Sequence, residues 1–161
     1  MLPPAETMGA IEEIRRLHDP AFHRVAAHLV LLPPFEPSDA SLVERLDALE
    51  LPPAFPLAFG APVVCGTSLS LAVAQGADEL RELQVALARG LLPSHAALPQ
   101  APAGLRTGVH SGAAELELAR RGLASLDPLA PFAVRAVSLL LEDVRGLWHE
   151  VHQKRLGPRV T

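Results

Sequence analysis

Proline does most to limit what this chain can become. Sixteen of its 161 residues are proline. Each removes a backbone donor and biases its predecessor away from helical geometry. The most apolar stretch, Leu51 to Val73, is interrupted by Pro52, Pro53, Pro56 and Pro62. It therefore cannot be the unbroken helix of roughly 20 residues that spans a bilayer. What remains between the prolines is a series of short elements.

Helical spacing of Met8, Ile11, Ile14 and Leu17 predicts a helix over Thr7–Leu17, with Glu12, Glu13, Arg15 and Arg16 elsewhere on the wheel. Asp19-Pro20 ends it. His23 to Leu32 reads as a strand stopped by Pro33-Pro34. Ser38 and Asp39 can cap a helix through Leu49. Phe55–Phe59 alternates as a strand, and Val63 to Ala74 reads as a hairpin around Gly66-Thr67. A helix over Glu79–Ala88 follows, capped by Asp78 and stopped by Gly90. The segment 91–103, with three prolines, is a linker. Leu105–His110 is a strand, Ala113–Leu126 a helix, and Phe132–Leu141 and Leu147–Val151 are strands.

Short links favour antiparallel pairing, so the class is α+β. The halves on either side of the linker look alike. The expected architecture is a single bilobal domain over residues 1–161. Its two pseudo-symmetric lobes would each be an antiparallel sheet with helices on one face, enclosing a central cleft.

Composition removes several classes of function. The net charge of −4 argues against non-specific duplex binding, which depends on neutralising phosphates. Aromatic residues make up 4%, too few for a base-stacking platform. The single cysteine, Cys65, permits neither an internal disulfide nor a cysteine zinc cage, and is expected as a small core residue. His149 and His152 are three apart, which on a strand gives no metal pair. No metal and no cofactor are expected. The N-terminus has no basic segment ahead of an apolar one, so a cytoplasmic, non-membrane protein is the default.

Two segments carry a more specific signal: Ile11-Glu-Glu-Ile-Arg-Arg-Leu-His-Asp-Pro20, and Ala27-His-Leu-Val-Leu-Leu-Pro-Pro-Phe35. Together they resemble the first half of the 2'-5' RNA ligase-like family of the 2H phosphoesterase superfamily. Members carry a helix ending in Arg-x-x-Tyr-Asp-Pro, then a strand reading His-x-Thr that leads to Pro-Phe. His28 takes the histidine position, and Pro34-Phe35 follows as in the family. The resemblance implies a metal-independent cyclic phosphodiesterase or RNA 2'-5' ligase. Its partners would be RNA ends or nucleotides carrying a 2',3'-cyclic phosphate.

The chemistry explains the motif. In-line cleavage of a cyclic phosphate needs a base on one side and an acid on the other, and two histidines suit both tasks. A hydroxyl two residues further along each strand points the same way as its histidine. Here Val30 replaces the first hydroxyl. In one register of the second motif Gly104 replaces the histidine and Arg106 the threonine; in the other, His110-Ser111-Gly112 lies on the motif. On an unbroken strand Gly104, Arg106, Gly108 and His110 would share one face.

The candidate site residues are therefore His28 and His110 as acid/base groups and Arg106 on the phosphate. The plain alternatives are a half-buried strand histidine at 28, a solvated arginine at 106 and a surface histidine at 110. The degraded motifs leave a second function open: a degenerate member that binds a nucleotide or a protein without catalysis. The family's opening strand has no counterpart ahead of Leu2-Pro3-Pro4: either the start is truncated, or the N-terminal lobe lacks a strand. A missing strand would leave an open sheet edge, through which a homo-oligomer could form.

Overall fold

The computed structural model describes residues 1–35, 41–92, 104–110 and 112–158. The first element, α1 (Ala5–His18), starts directly after Pro4, where a missing donor costs nothing. Its buried stripe is Met8, Ile11 and Arg15, and Asp19 continues the line beyond the helix. That is the i, i+3/i+4 spacing of one face. Leu17, expected inward, is 64% exposed, whereas Arg15, expected outside the core stripe, is only 3% exposed.

Arg15 can be buried because each of its nitrogens has a partner. Nε donates to Asp19 Oδ2 at 3.0 Å and to the Thr107 carbonyl at 3.2 Å. Nη1 meets both oxygens of Glu12, and Nη2 donates to Asp19 Oδ2 at 2.8 Å and to the Val25 carbonyl at 2.7 Å. Asp19 Oδ1 accepts the Ala21 N–H at 3.0 Å. The corner at Asp19-Pro20 thus closes on itself, and the chain turns through residues 20–24 instead of forming the strand expected from His23.

The remaining elements are β1 (His28–Leu29), α2 (Leu42–Ala48), β2 (Phe55–Cys65), β3 (Ser68–Gln75), α3 (Ala77–Leu91), β4 (Gly104–Val109), α4 (Ala113–Ala124), β5 (Phe132–Val134), β6 (Ala136–Glu142) and β7 (Trp148–Arg155). Among the described residues, five strands form one antiparallel sheet in the order β1-β4-β3-β2-β5, and β6 and β7 form a separate ribbon. The class is the expected α+β. Helix α1 packs on α4 and β4, while α4 also meets β2. Ile11, Leu29, Leu57, Leu69, Leu80, Leu83, Leu105 and Val134 are the most deeply buried side chains of a single core. No helix among the described residues is long and apolar enough to cross a membrane.

Local chemistry explains where elements depart from expectation. The two segments expected at Phe55 and Val63 are one strand that runs through Pro62. It can do so because β5 pairs with β2 only at Phe55, Pro56 and Leu57, and the register slips between Phe59 and Pro62. A proline is tolerated on such a free edge or bulge. Gly90 does not stop α3. It lies inside the helix, where a Cβ would strike the side chain of Leu49. The expected strand over Phe132–Leu141 divides at Arg135, one part joining β2 and the other β7. Cys65 is exposed at the β2–β3 turn rather than buried, because Gly66, at φ +59, turns the chain there. The proposed caps Ser38 and Asp39, and residues 93–103 of the linker, lie outside the described residues.

Replacing Arg15 by Met leaves Asp19 buried without its cation. Urea unfolding should register a loss of about 3–5 kcal/mol. Arg24→Met breaks the exposed Arg24–Glu142 pair instead, and should cost less than about 1 kcal/mol.

Candidate functional site

The site is built by strand register. His28 pairs with Arg106 and Leu29 with Leu105 across β1 and β4; Ser70 pairs with Arg106 and Leu71 with Leu105 across β4 and β3. Cross-strand partners share a face, with Cβ atoms about 5 Å apart. One row, Leu29–Leu105–Leu71, is buried in the core. The next row, His28–Arg106–Ser70, faces away from it, with Arg106 exposed and the other two half-buried. The two strands that carry the motifs are therefore hydrogen-bonded neighbours, and His28 and Arg106 stand side by side.

Position 104 lies on the same face as Arg106, diagonal to His28. It has no room for a side chain: a Cβ there would come within 2.9 Å of the Leu71 carbonyl oxygen and 3.3 Å of Ser70 Cβ. A histidine at 104 would require β3 to move. In the register that aligns Gly104 with the second motif, this chain lacks the second imidazole and has closed the space for it.

His110 does not join the row. The strand is not unbroken, because the β3–β4 register slips between Leu69, opposite Gly108, and Ser70, opposite Arg106. Such an extra residue shifts the alternation of faces. Thr107 is buried, its hydroxyl donating to the Leu69 carbonyl at 3.0 Å. His110 is 2% exposed, with neither ring nitrogen hydrogen-bonded among the described residues. Its Nε2 and Asp19 Cγ each lie 3.0 Å from where a Cβ on Gly108 would stand. The expected surface or cleft position of His110 is thus replaced by one behind the sheet, beside the Arg15–Asp19 corner. Ser111 lies outside the described residues.

His28 Nδ1 donates to the Ala26 carbonyl at 2.8 Å, which leaves Nε2 with its lone pair. Burial lowers the pKa of the ring from 6.5; the Ala26 hydrogen bond opposes this, and the cationic N-terminus, Arg106 and Arg15 add to the lowering. The ring is therefore neutral near pH 7, as a general base must be. On the other edge of β1, the Met1 amino group, whose pKa burial lowers from 8.0 to about 6, donates to the Leu29 carbonyl, and the Leu29 N–H donates to the Met1 carbonyl.

Two further histidines are occupied elsewhere: His149 with Asp143 at 3.0 Å and His152 with Asp47 at 2.8 Å. Among the described residues no group of His, Cys, Asp and Glu could hold a metal ion. Sequence reasoning missed Glu12 and Arg15. Its available signal was the i, i+4 spacing of Arg15 and Asp19 just before a proline.

Because folding favours the neutral ring, the unfolded chain binds the His28 proton more readily. The ring's contribution to stability is complete above its ordinary value of 6.5 and is lost as pH falls through the lower folded value. Unfolding of the wild type and of His28→Gln, compared across this range, should show the wild type losing stability faster on acidification. An NMR titration should place the midpoint of the His28 ring below 6.5.

The sequence matches the 2'-5' RNA ligase superfamily over residues 3–145. The fold is similar to the crystal structure of E. coli LigT in its apo form, with a TM-score of 0.67 and 21% identity, covering 98% of this chain and 94% of that one. No curated protein matches the sequence.

Proposed function

The chain belongs to the 2'-5' RNA ligase superfamily, and from that premise we propose that the His28–Arg106 row is a phosphoester site. It takes RNA ends or nucleotides that carry a 2',3'-cyclic phosphate. The supporting observation is the cross-strand pairing of His28 with Arg106 on the face turned away from the core. Arg106 presents a planar fork of donors to the phosphoryl oxygens, at the position where the family's motif has a hydroxyl. His28 Nε2 takes the proton of the attacking water. The new P–O bond forms as the bond to the 2'-oxygen breaks, and that oxygen needs a proton.

Here the chain differs from a two-histidine site. Gly104 has no proton to give, and a guanidinium does not release one in proteins. Solvent supplies the proton. A positioned acid contributes roughly 10²–10⁴-fold, and turnover is slower by about that factor. No step is assigned to a metal, so a chelator leaves the rate unchanged.

A second reading has its own support. The space at 104 is closed by the Leu71 carbonyl, and Val30 offers no hydroxyl. Both suit a member that binds a phosphorylated nucleotide, or a protein partner, without turning anything over.

Incubation with a 2',3'-cyclic nucleotide should give slow release of the monoester, and His28→Ala should lower the rate by roughly 10²–10⁴-fold. Arg106→Ala should weaken binding of 2'-AMP or 3'-AMP in calorimetry by roughly tenfold or more. Nucleotide binding without turnover supports the second reading. Turnover indifferent to His28→Ala removes that residue from the mechanism.

A further inference from the structure

Glu12 reaches from α1 to the chain just ahead of β1. Its Oε1 accepts the Ala27 N–H at 2.6 Å. The carbonyl of that same peptide unit belongs to Ala26, and it accepts the His28 Nδ1–H at 2.8 Å. A carboxylate, one peptide group and the imidazole thus form a continuous hydrogen-bonded chain. We propose that Glu12 is a positioning residue for His28, acting through the Ala26–Ala27 peptide to hold the ring with its proton on Nδ1 and its lone pair on Nε2. The proposal deepens the reading of His28 as the base of the site and rests on it.

The chemistry parallels a carboxylate that orients a catalytic histidine directly, with a peptide group placed between them. A hydrogen bond to an ionised acceptor is short and strong. Polarising the N–H of an amide makes its carbonyl a better acceptor, and hydrogen bonds in such chains strengthen one another by roughly 10–30%. Arg15 Nη1 meets both Glu12 oxygens, at 3.0 and 2.9 Å, which keeps the carboxylate from rotating away. The other charged groups acting on His28 are Arg106 on β4, Arg15 on α1 and, only while it is protonated, the Met1 amino group, whose pKa burial lowers to about 6. All three oppose protonation of the ring, and none of them bonds to it. Glu12 supplies orientation, a separate contribution.

The test reads the ring itself and needs no substrate. Imidazole ¹⁵N shifts of the wild-type protein, recorded above the His28 midpoint, should show Nδ1 protonated and Nε2 unprotonated. The Ala27 amide proton should resonate well downfield. In Glu12→Gln, which keeps an acceptor but loses the charge, the ratio of Nδ1–H to Nε2–H should fall at least about twofold, and the Ala27 amide should move upfield. Glu12→Asp, too short to reach Ala27, should do the same. A wild-type ring protonated on Nε2, or an Ala27 amide without a downfield shift, overturns the proposal even if neither variant folds. So does a folded Glu12→Gln protein with an unchanged ratio. Failure of cyclic-phosphate turnover with these shifts intact would sink the proposed function instead, so the two failures are distinguishable.

Discussion

One guanidinium holds the corner on which the site is built. Arg15 bonds to Asp19 beyond its own helix, to the Val25 carbonyl on the approach to β1 and to the Thr107 carbonyl on β4. It therefore joins α1 to the routes of both motif strands. The Arg15–Asp19 pair adds little net stability compared with apolar residues of similar shape at both positions, since burying two charges is costly. Its value is geometric: two backbone carbonyls from distant parts of the chain, Val25 and Thr107, meet one rigid fork. The same side chain steadies Glu12, and through it the peptide against which His28 leans.

Antiparallel register then turns two sequence-distant motifs into one surface. Pairing Leu29 with Leu105 in the core places His28 opposite Arg106 on the other face, because side chains alternate along both strands. The resulting pair combines a neutral imidazole with a cation that does not titrate. In the proposed function that pair binds a phosphate and accepts a proton from a nucleophile. It offers no second proton donor on the leaving side. Thr107 follows Leu105 inward by alternation, and the register slip between Leu69 and Ser70 turns His110 inward as well, so the histidine nearest in sequence to Arg106 is withdrawn from it.

Much of the fold could be read from periodicity, because burial follows it. The stripe Leu80, Leu83, Leu87 in α3 and the alternation Phe55, Leu57, Phe59 in β2 are buried as their spacing implies. The resemblance around His28 also led to the right superfamily. What could not be read depended on long-range pairing. Periodicity assigns a charged residue to the surface, and two of the partners that admit Arg15 to the core lie ten and 92 residues away. A one-residue register slip has no signature within β4 itself, so His110 was expected in line with Arg106. Gly90 looked like a helix stop because its packing against Leu49 is a tertiary fact.

The most direct test is a crystal structure of the protein grown with 3'-AMP. The phosphate is predicted to bridge the Arg106 guanidinium and His28 Nε2 on the face of β1 and β4 turned away from the core. A phosphate bound elsewhere, or an ordered His28–Arg106 pair with no nucleotide at saturating concentration, would contradict the assignment of this row as a phosphoester site.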